Sequence, residues 1–180
     1  MRIRILFLIV LVSVVASCNS APAPEAPKAP AAPAGEAHAN LAQLMRSIMF
    51  PNSNVIFFAQ SNDPAKVKQD KDPSAATDVL ASTYGGWGAV ENSSLALVEA
   101  ANLLTLPGRK CSNGKDVPIN NADWGKFVQQ LRDAGMTAYK AAQSKNQDNI
   151  VAATDPLTNA CGGCHEKYRD KPGGNESRCM

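Results

Sequence analysis

Sustained alternation of apolar and polar residues is missing from this chain of 180 residues, so nothing in it calls for a sheet and an all-α fold is expected. Histidine is scarce, with His38 and His165 the two in the sequence. Only one C-x-x-C pair occurs among five cysteines, so a structural zinc site lacks the second ligand pair it would want. Charge of either sign is in no excess, with 18 Lys and Arg against 16 Asp and Glu, and no basic patch marks a nucleic-acid partner. The longest apolar run, Ile5 to Val15, is too short to span a bilayer as a mature helix.

That run follows Met1-Arg2-Ile3-Arg4 and leads into Ala16-Ser17-Cys18, the pattern of a secretory signal over residues 1–17. Val15-Ala16-Ser17-Cys18 looks like a bacterial lipobox, in which Cys18 would become the lipidated first residue; the other reading is an ordinary signal peptide cut a few residues later. Either way the chain is expected to leave the cytosol. Residues 18–36 then shift to Ala-Pro repeats, such as Ala21-Pro22-Ala23-Pro24, which favour an extended, solvated tether with no core to bury. The remainder, 37–180, suits one domain.

The sharpest motif is Cys161-Gly162-Gly163-Cys164-His165. At this spacing two thiols can add to the two vinyl groups of one haem, while the following imidazole becomes an axial iron ligand. The competing reading, a redox dithiol, wants a strand running into a helix N-terminus that lowers the thiol pKa. The segment before Cys161 is Ala-rich and helical instead. One covalently bound haem c is therefore the expected cofactor, and export agrees with it.

Helical periodicity organises the rest. Leu41, Leu44, Met45 and Ile48 share a face of a first helix from Glu36 to about Met49, with Pro51 bending or stopping it near Phe50. Ser74 or Thr77 would cap a second helix reaching Leu106, with a core face of Val90, Leu97, Val98, Ala101 and Leu104. Gly85, Gly86 and Gly88 around Trp87 would weaken it, either to admit a haem face or a close neighbouring helix or only as a kink. A third helix, about Ala122 to Lys145, carries Trp124, Phe127, Val128, Leu131, Gly135, Ala138 and Ala142 at intervals of three and four. In a fourth, about Gln147 to Tyr168, Cys161 and His165 lie one turn apart on the face that also holds Ile150, Thr154, Leu157 and Tyr168; Pro156 either kinks it or opens a fresh start.

Four amphipathic helices with the haem motif on the last one resemble the class II c-type cytochromes, cytochrome c′ and cytochrome c556. The resemblance covers roughly Leu41 to Tyr168, and it implies an up-and-down four-helix bundle with haem between the helices. It makes His165 the proximal ligand and gives the distal face to the first helix. In the c556 branch a methionine of that helix binds iron, which here points to Met45 ahead of Met49; in cytochrome c′ the position is open or blocked. A methionine on such a stripe is equally core filling, as Met136 on the third helix is expected to be. Arg46 either pairs with a propionate or sits in solvent, and His38 is expected to be exposed.

Pro51, the loop bracketed by Asp63-Pro64 and Asp72-Pro73, the Cys111 loop and the tail 170–180 depart from the commoner members. Cys111 and Cys179 would otherwise be unpaired thiols in an oxidising compartment, so a disulfide between them is expected. The functional expectation is a periplasmic monohaem electron carrier, lipid-anchored through Cys18 and serving redox partner proteins, with homodimerisation possible in such bundles. Asn19 in place of an aspartate after Cys18 leans towards the outer membrane. The rival is a five-coordinate haem protein binding nitric oxide or carbon monoxide. Peroxidase-like enzymatic activity ranks last, because no second histidine or distal carboxylate is evident on the first helix past Glu36.

Overall fold

A computed structural model describes residues 35–174 and 177–179, which belong to one compact unit, Pro33–Met180. The signal peptide 1–17, Cys18 and the tether up to residue 34 lie outside the described residues. Among the described residues there are four long helices and no strand; Lys110 and Asp116 form an isolated antiparallel bridge in the loop between the second and third helices. No helix among them is long and apolar enough to cross a membrane.

The first helix starts at Leu41 rather than Glu36, because Asn40 and Gln43 close a capping box there: Gln43 N donates to Asn40 Oδ1 (2.8 Å) and Asn40 N to Gln43 Oε1 (2.9 Å). It does not stop at Pro51. An α-helical turn, Leu41–Leu44, passes into a π-helical turn, Met45–Met49, and then into α-helix again, Phe50–Phe58. In the π turn the Phe50 N–H reaches back to the Met45 carbonyl, five residues earlier, so Pro51 enters at the first positions of the following α segment, where its missing N–H costs little. The Asn52 side-chain amide donates to the Ile48 carbonyl (2.8 Å) beside this irregularity.

The second helix is shorter than the sequence suggested. It runs Gly86–Ala100 and tightens into a 3₁₀ turn, Ala101–Thr105. Neither Ser74 nor Thr77 caps it; Asp78 caps a separate 3₁₀ turn, Val79–Ala81, through the Leu80 N–H (2.9 Å). The glycines open the helix instead of interrupting it. A Cβ at Gly85 would lie 2.2 Å from the Leu80 carbonyl oxygen, and Gly86 has φ +59°, so the chain can fold back on Leu80 only with glycine here. Val90, Leu97, Ala101 and Leu104 are buried, with Val98 half-buried.

The third helix, Ala122–Gln143, and the fourth, Gln147–Cys164 continued as a π turn His165–Arg169, are joined by a turn in which Lys145 takes φ 51° and Asn146 caps Asp148 N (2.8 Å). So short a link makes them antiparallel neighbours. Pro156 lies inside a continuous helix, on its exposed side, and opens no new start. The second helix packs on the third and the third on the fourth. Gly135 lets the second and third approach closely: a Cβ there would meet Val98 Cγ2 at 2.7 Å and the Ser94 carbonyl oxygen at 3.3 Å.

Gln147 Nε2 donates to the carbonyls of Ala59 (3.1 Å) and Gln60 (3.0 Å), tying the end of the first helix to the start of the fourth. From that pinned end the two run antiparallel. At the far end the residues around Met45 and His165 enclose a cavity.

Candidate haem site

That cavity holds about 450 Å³ and is lined by all four helices. The first helix supplies Met45, Met49 and Phe57, the second Leu97 and Leu104, the third Trp124, Phe127, Val128 and Leu131, and the fourth Cys161, Cys164, His165 and Tyr168. The walls are apolar, with Arg46, Ser53, Asn54 and Arg169 among the polar residues that also line it. Arg46 and Arg169 are both largely exposed and bring positive charge to the open side, where Asp170 holds the Arg169 guanidinium (2.7 Å). A volume of this size walled by aromatic and aliphatic groups suits a flat apolar cofactor with a polar edge.

The motif residues sit in the last turns of the fourth helix, which is why all three face one space: residues three and four apart share a helix face. Gly163 fits tightly, since a Cβ there would come within 3.1 Å of Phe127 Cε1, whereas Gly162 faces open space. Cys161 and Cys164 are free thiols, both half-buried. Burial pushes the Cys161 thiol above its usual range, and burial together with Cys161 and Asp123 pushes Cys164 up to about 11. A redox dithiol needs the opposite shift, at a helix N-terminus and not at a C-terminal end. Among the described residues no group of three or more His, Cys, Asp and Glu is placed to hold a bare metal ion, whereas a structural zinc site would want a second ligand pair beside these thiols.

Burial, and then the Arg169 charge, lower the His165 imidazole below its ordinary value, with Asp170 opposing them. The ring is therefore neutral near pH 7, as an iron ligand must be. Tyr168, one turn on, is 7 % exposed, and its phenol donates to Asp123 Oδ1 while accepting from Asn121 Nδ2 (3.3 Å). Its ring stands edge-on to Trp124 (centroids 5.0 Å) and Phe127 (6.3 Å), and Trp124 Nε1 donates to the Leu104 carbonyl (3.0 Å). These contacts fix the turn that carries His165.

Each residue proposed from the sequence as part of the site lines this one cavity: Cys161, Cys164, His165 and Met45. Met49 lines it too and is the more buried of the two methionines. Met136 is half-buried and outside the lining, and His38 is exposed. Trp87 and its glycines also lie outside the lining of this cavity. Cys111 and Cys179 are bonded, with Cα atoms 5.0 Å apart, and Cys179 itself forms part of the cavity wall. That last role was not foreseen, and neither was the Asp123–Tyr168 pairing, although a phenol on a core face signals the need for a polar partner.

Residues 112–169 match the family model described as Cytochrome C', and that stretch contains the third and fourth helices with the whole C-x-x-C-H motif. The match is consistent with a class II c-type cytochrome, a family that binds a covalent haem c with iron. No curated protein and no solved structure matches the chain.

Proposed function

Taking a class II c-type cytochrome as the premise, we propose that this chain is an exported one-electron carrier in which His165 and Met45 would hold the haem iron. Cys161 and Cys164 would anchor the group by thioether bonds. Bound there, haem c supplies a one-electron ferric/ferrous couple. The rest is the work of the chain. The apolar walls exclude water, Arg46 and Arg169 offer positive charge to carboxylates at the open side, and His165 presents a neutral nitrogen.

The observation that carries the reading is that two thioethers, Met45 and Met49, share with His165 a single apolar cavity. Sulfur ligation in a dry pocket favours the ferrous state and suits transfer without rearrangement. Met45 is the proposed ligand, with Met49, only 7 % exposed, packing beside it. Among the described residues the lining holds no carboxylate and no second imidazole, which supports a carrier over a peroxidase. The signal pattern of residues 1–17 and Cys18 supports a lipid-anchored periplasmic protein reaching redox partners on its Ala-Pro tether.

The test is a visible spectrum of the matured, reduced protein with and without carbon monoxide, repeated for Met45→Ala and Met49→Ala. Low-spin bands indifferent to the gas in the parent and in Met49→Ala, with conversion to a gas-sensitive form in Met45→Ala, are expected. A parent that is already high-spin and binds the gas selects the five-coordinate gas-binding function instead.

A further inference from the structure

One loop touches both sides of the cavity. At its start the buried Arg109, 4 % exposed, donates to the carbonyls of Leu103 (3.0 Å) and Ala39, and the neighbouring Lys110 carbonyl accepts from Leu41 N (2.8 Å). The loop thus holds the first turn of the helix that carries Met45 four residues later. The next residue, Cys111, is bonded to Cys179. Cys179 N donates to the Tyr168 carbonyl (3.0 Å), inside the π turn that begins with His165, and Asn113 Nδ2 donates to the Arg178 carbonyl (2.6 Å).

We propose that the Cys111–Cys179 bond is a positioning device for the axial ligands, coupling the His165 turn to the start of the Met45 helix, so that a dithiol reductant loosens both together. This rests on the haem reading above. Without the S–S bond the path from Lys110 to Tyr168 loses its covalent step, which links cysteines at a sequence separation of 68. The exchange balances: a dithiol gives up two electrons and two protons to become a disulfide, the S–S bond breaks, and Cys111 and Cys179 become thiols. Attack falls on Cys179, half-buried, and not on Cys111, which is 2 % exposed and leaves as the departing thiolate before taking its proton.

The experiment uses the mature holoprotein with iron held ferrous by ascorbate in every arm, dithiothreitol added to one, and the double variant Cys111→Ser/Cys179→Ser as a third. Thioether bonds survive the dithiol, so covalent haem is verified in each arm. Amide exchange over 41–49 and 165–169 and the visible spectrum under carbon monoxide are the readouts. Opening the bond is expected to raise exchange in both segments and to turn the gas-indifferent low-spin spectrum of the oxidised parent into one that shifts on adding the gas, with the double variant matching the reduced parent. If the double variant does not mature, the reduced parent alone decides. Free thiols with unchanged exchange, faster exchange in only one segment, or faster exchange with a spectrum still indifferent to the gas would each overturn the proposal. A chain carrying no covalent haem defeats the functional reading and this one with it, whereas intact haem with unmoved readouts defeats this one alone.

Discussion

The phenol of Tyr168 donates its proton to the Asp123 carboxylate, joining the end of the fourth helix to the start of the third directly behind the haem motif. Burial, and then Asp123, raise the phenol above its usual value of 10.0, while the Tyr168 hydrogen bond leads the causes that hold Asp123 below 3.8. The signs of the two contributions differ. The raised phenol adds stability that is fully present below pH 10 and is lost as pH climbs through its folded value. The lowered carboxylate adds stability that is present above pH 3.8 and is lost as pH falls through its folded value. Tyr168→Phe is expected to cost about 1 kcal/mol at pH 7 for the lost hydrogen bond and to flatten both limbs of the stability profile. Urea unfolding of both proteins from acid to alkaline pH tests this; parallel profiles would contradict it.

Much of the site was legible because covalent haem attachment demands residue types at a fixed spacing, and because a helix puts Cys161, Cys164 and His165 on one face without tertiary help. The third and fourth helices were equally readable, since their apolar positions recur at three and four with little competition. Reading failed where backbone geometry depends on distant packing. Pro51 argued for a bend or a stop near Phe50, and of the two the helix continues, because a π turn absorbs the proline. The glycines near Trp87 argued for a weakened helix interior, whereas Gly85 is needed for a close approach to Leu80, six residues upstream of Gly86 in a loop with no period to read.

Gly135 marks a close approach of the second and third helices. Gly135→Ala places a methyl 2.7 Å from Val98 Cγ2, a contact the valine must rotate or shift to relieve, and 3.3 Å from a backbone oxygen that cannot move alone. Overpacking of this kind is expected to cost about 1–3 kcal/mol. Because the worse clash is with a side chain, Val98→Ala should recover part of the loss in the double variant, a coupling that a double-mutant cycle in urea reads out. Strictly additive costs would show that the methyl meets something else.

Arg109 is a buried cation whose burial lowers its pKa, yet it faces two backbone carbonyls and not a carboxylate. Its function is to satisfy Ala39 and Leu103 at the root of the loop. Arg109→Met keeps the stem and removes the donors, leaving those carbonyls without their charged partner, and about 2–3 kcal/mol of stability should be lost. Amide exchange should rise most at Leu41, whose N–H is held by the adjacent Lys110 carbonyl. Loss of stability with Leu41 protection unchanged would mean that the arginine does not anchor the first helix.

The π turn of Met45–Met49 could be a consequence of Pro51 or of packing, and magnitudes separate the two. Converting it to regular α-helix would turn one flank against the other by about 100° per residue of register. Leu41 and Leu44 on one side and Ile56 on the other are all buried, so that rotation would expose two leucines at about 2 kcal/mol each. Against this stands only the improved geometry of a hydrogen bond or two, worth about 1 kcal/mol apiece. Packing wins, so Pro51→Ala is expected to keep the π turn and the protection of the Phe50 amide, and to leave the spectrum of the reduced holoprotein unchanged. Stability is expected to change by less than about 1 kcal/mol, because at the first positions of the α segment the proline's missing N–H costs little. A shifted spectrum would instead show that the proline, by forcing the wide turn, is what brings Met45 to the iron.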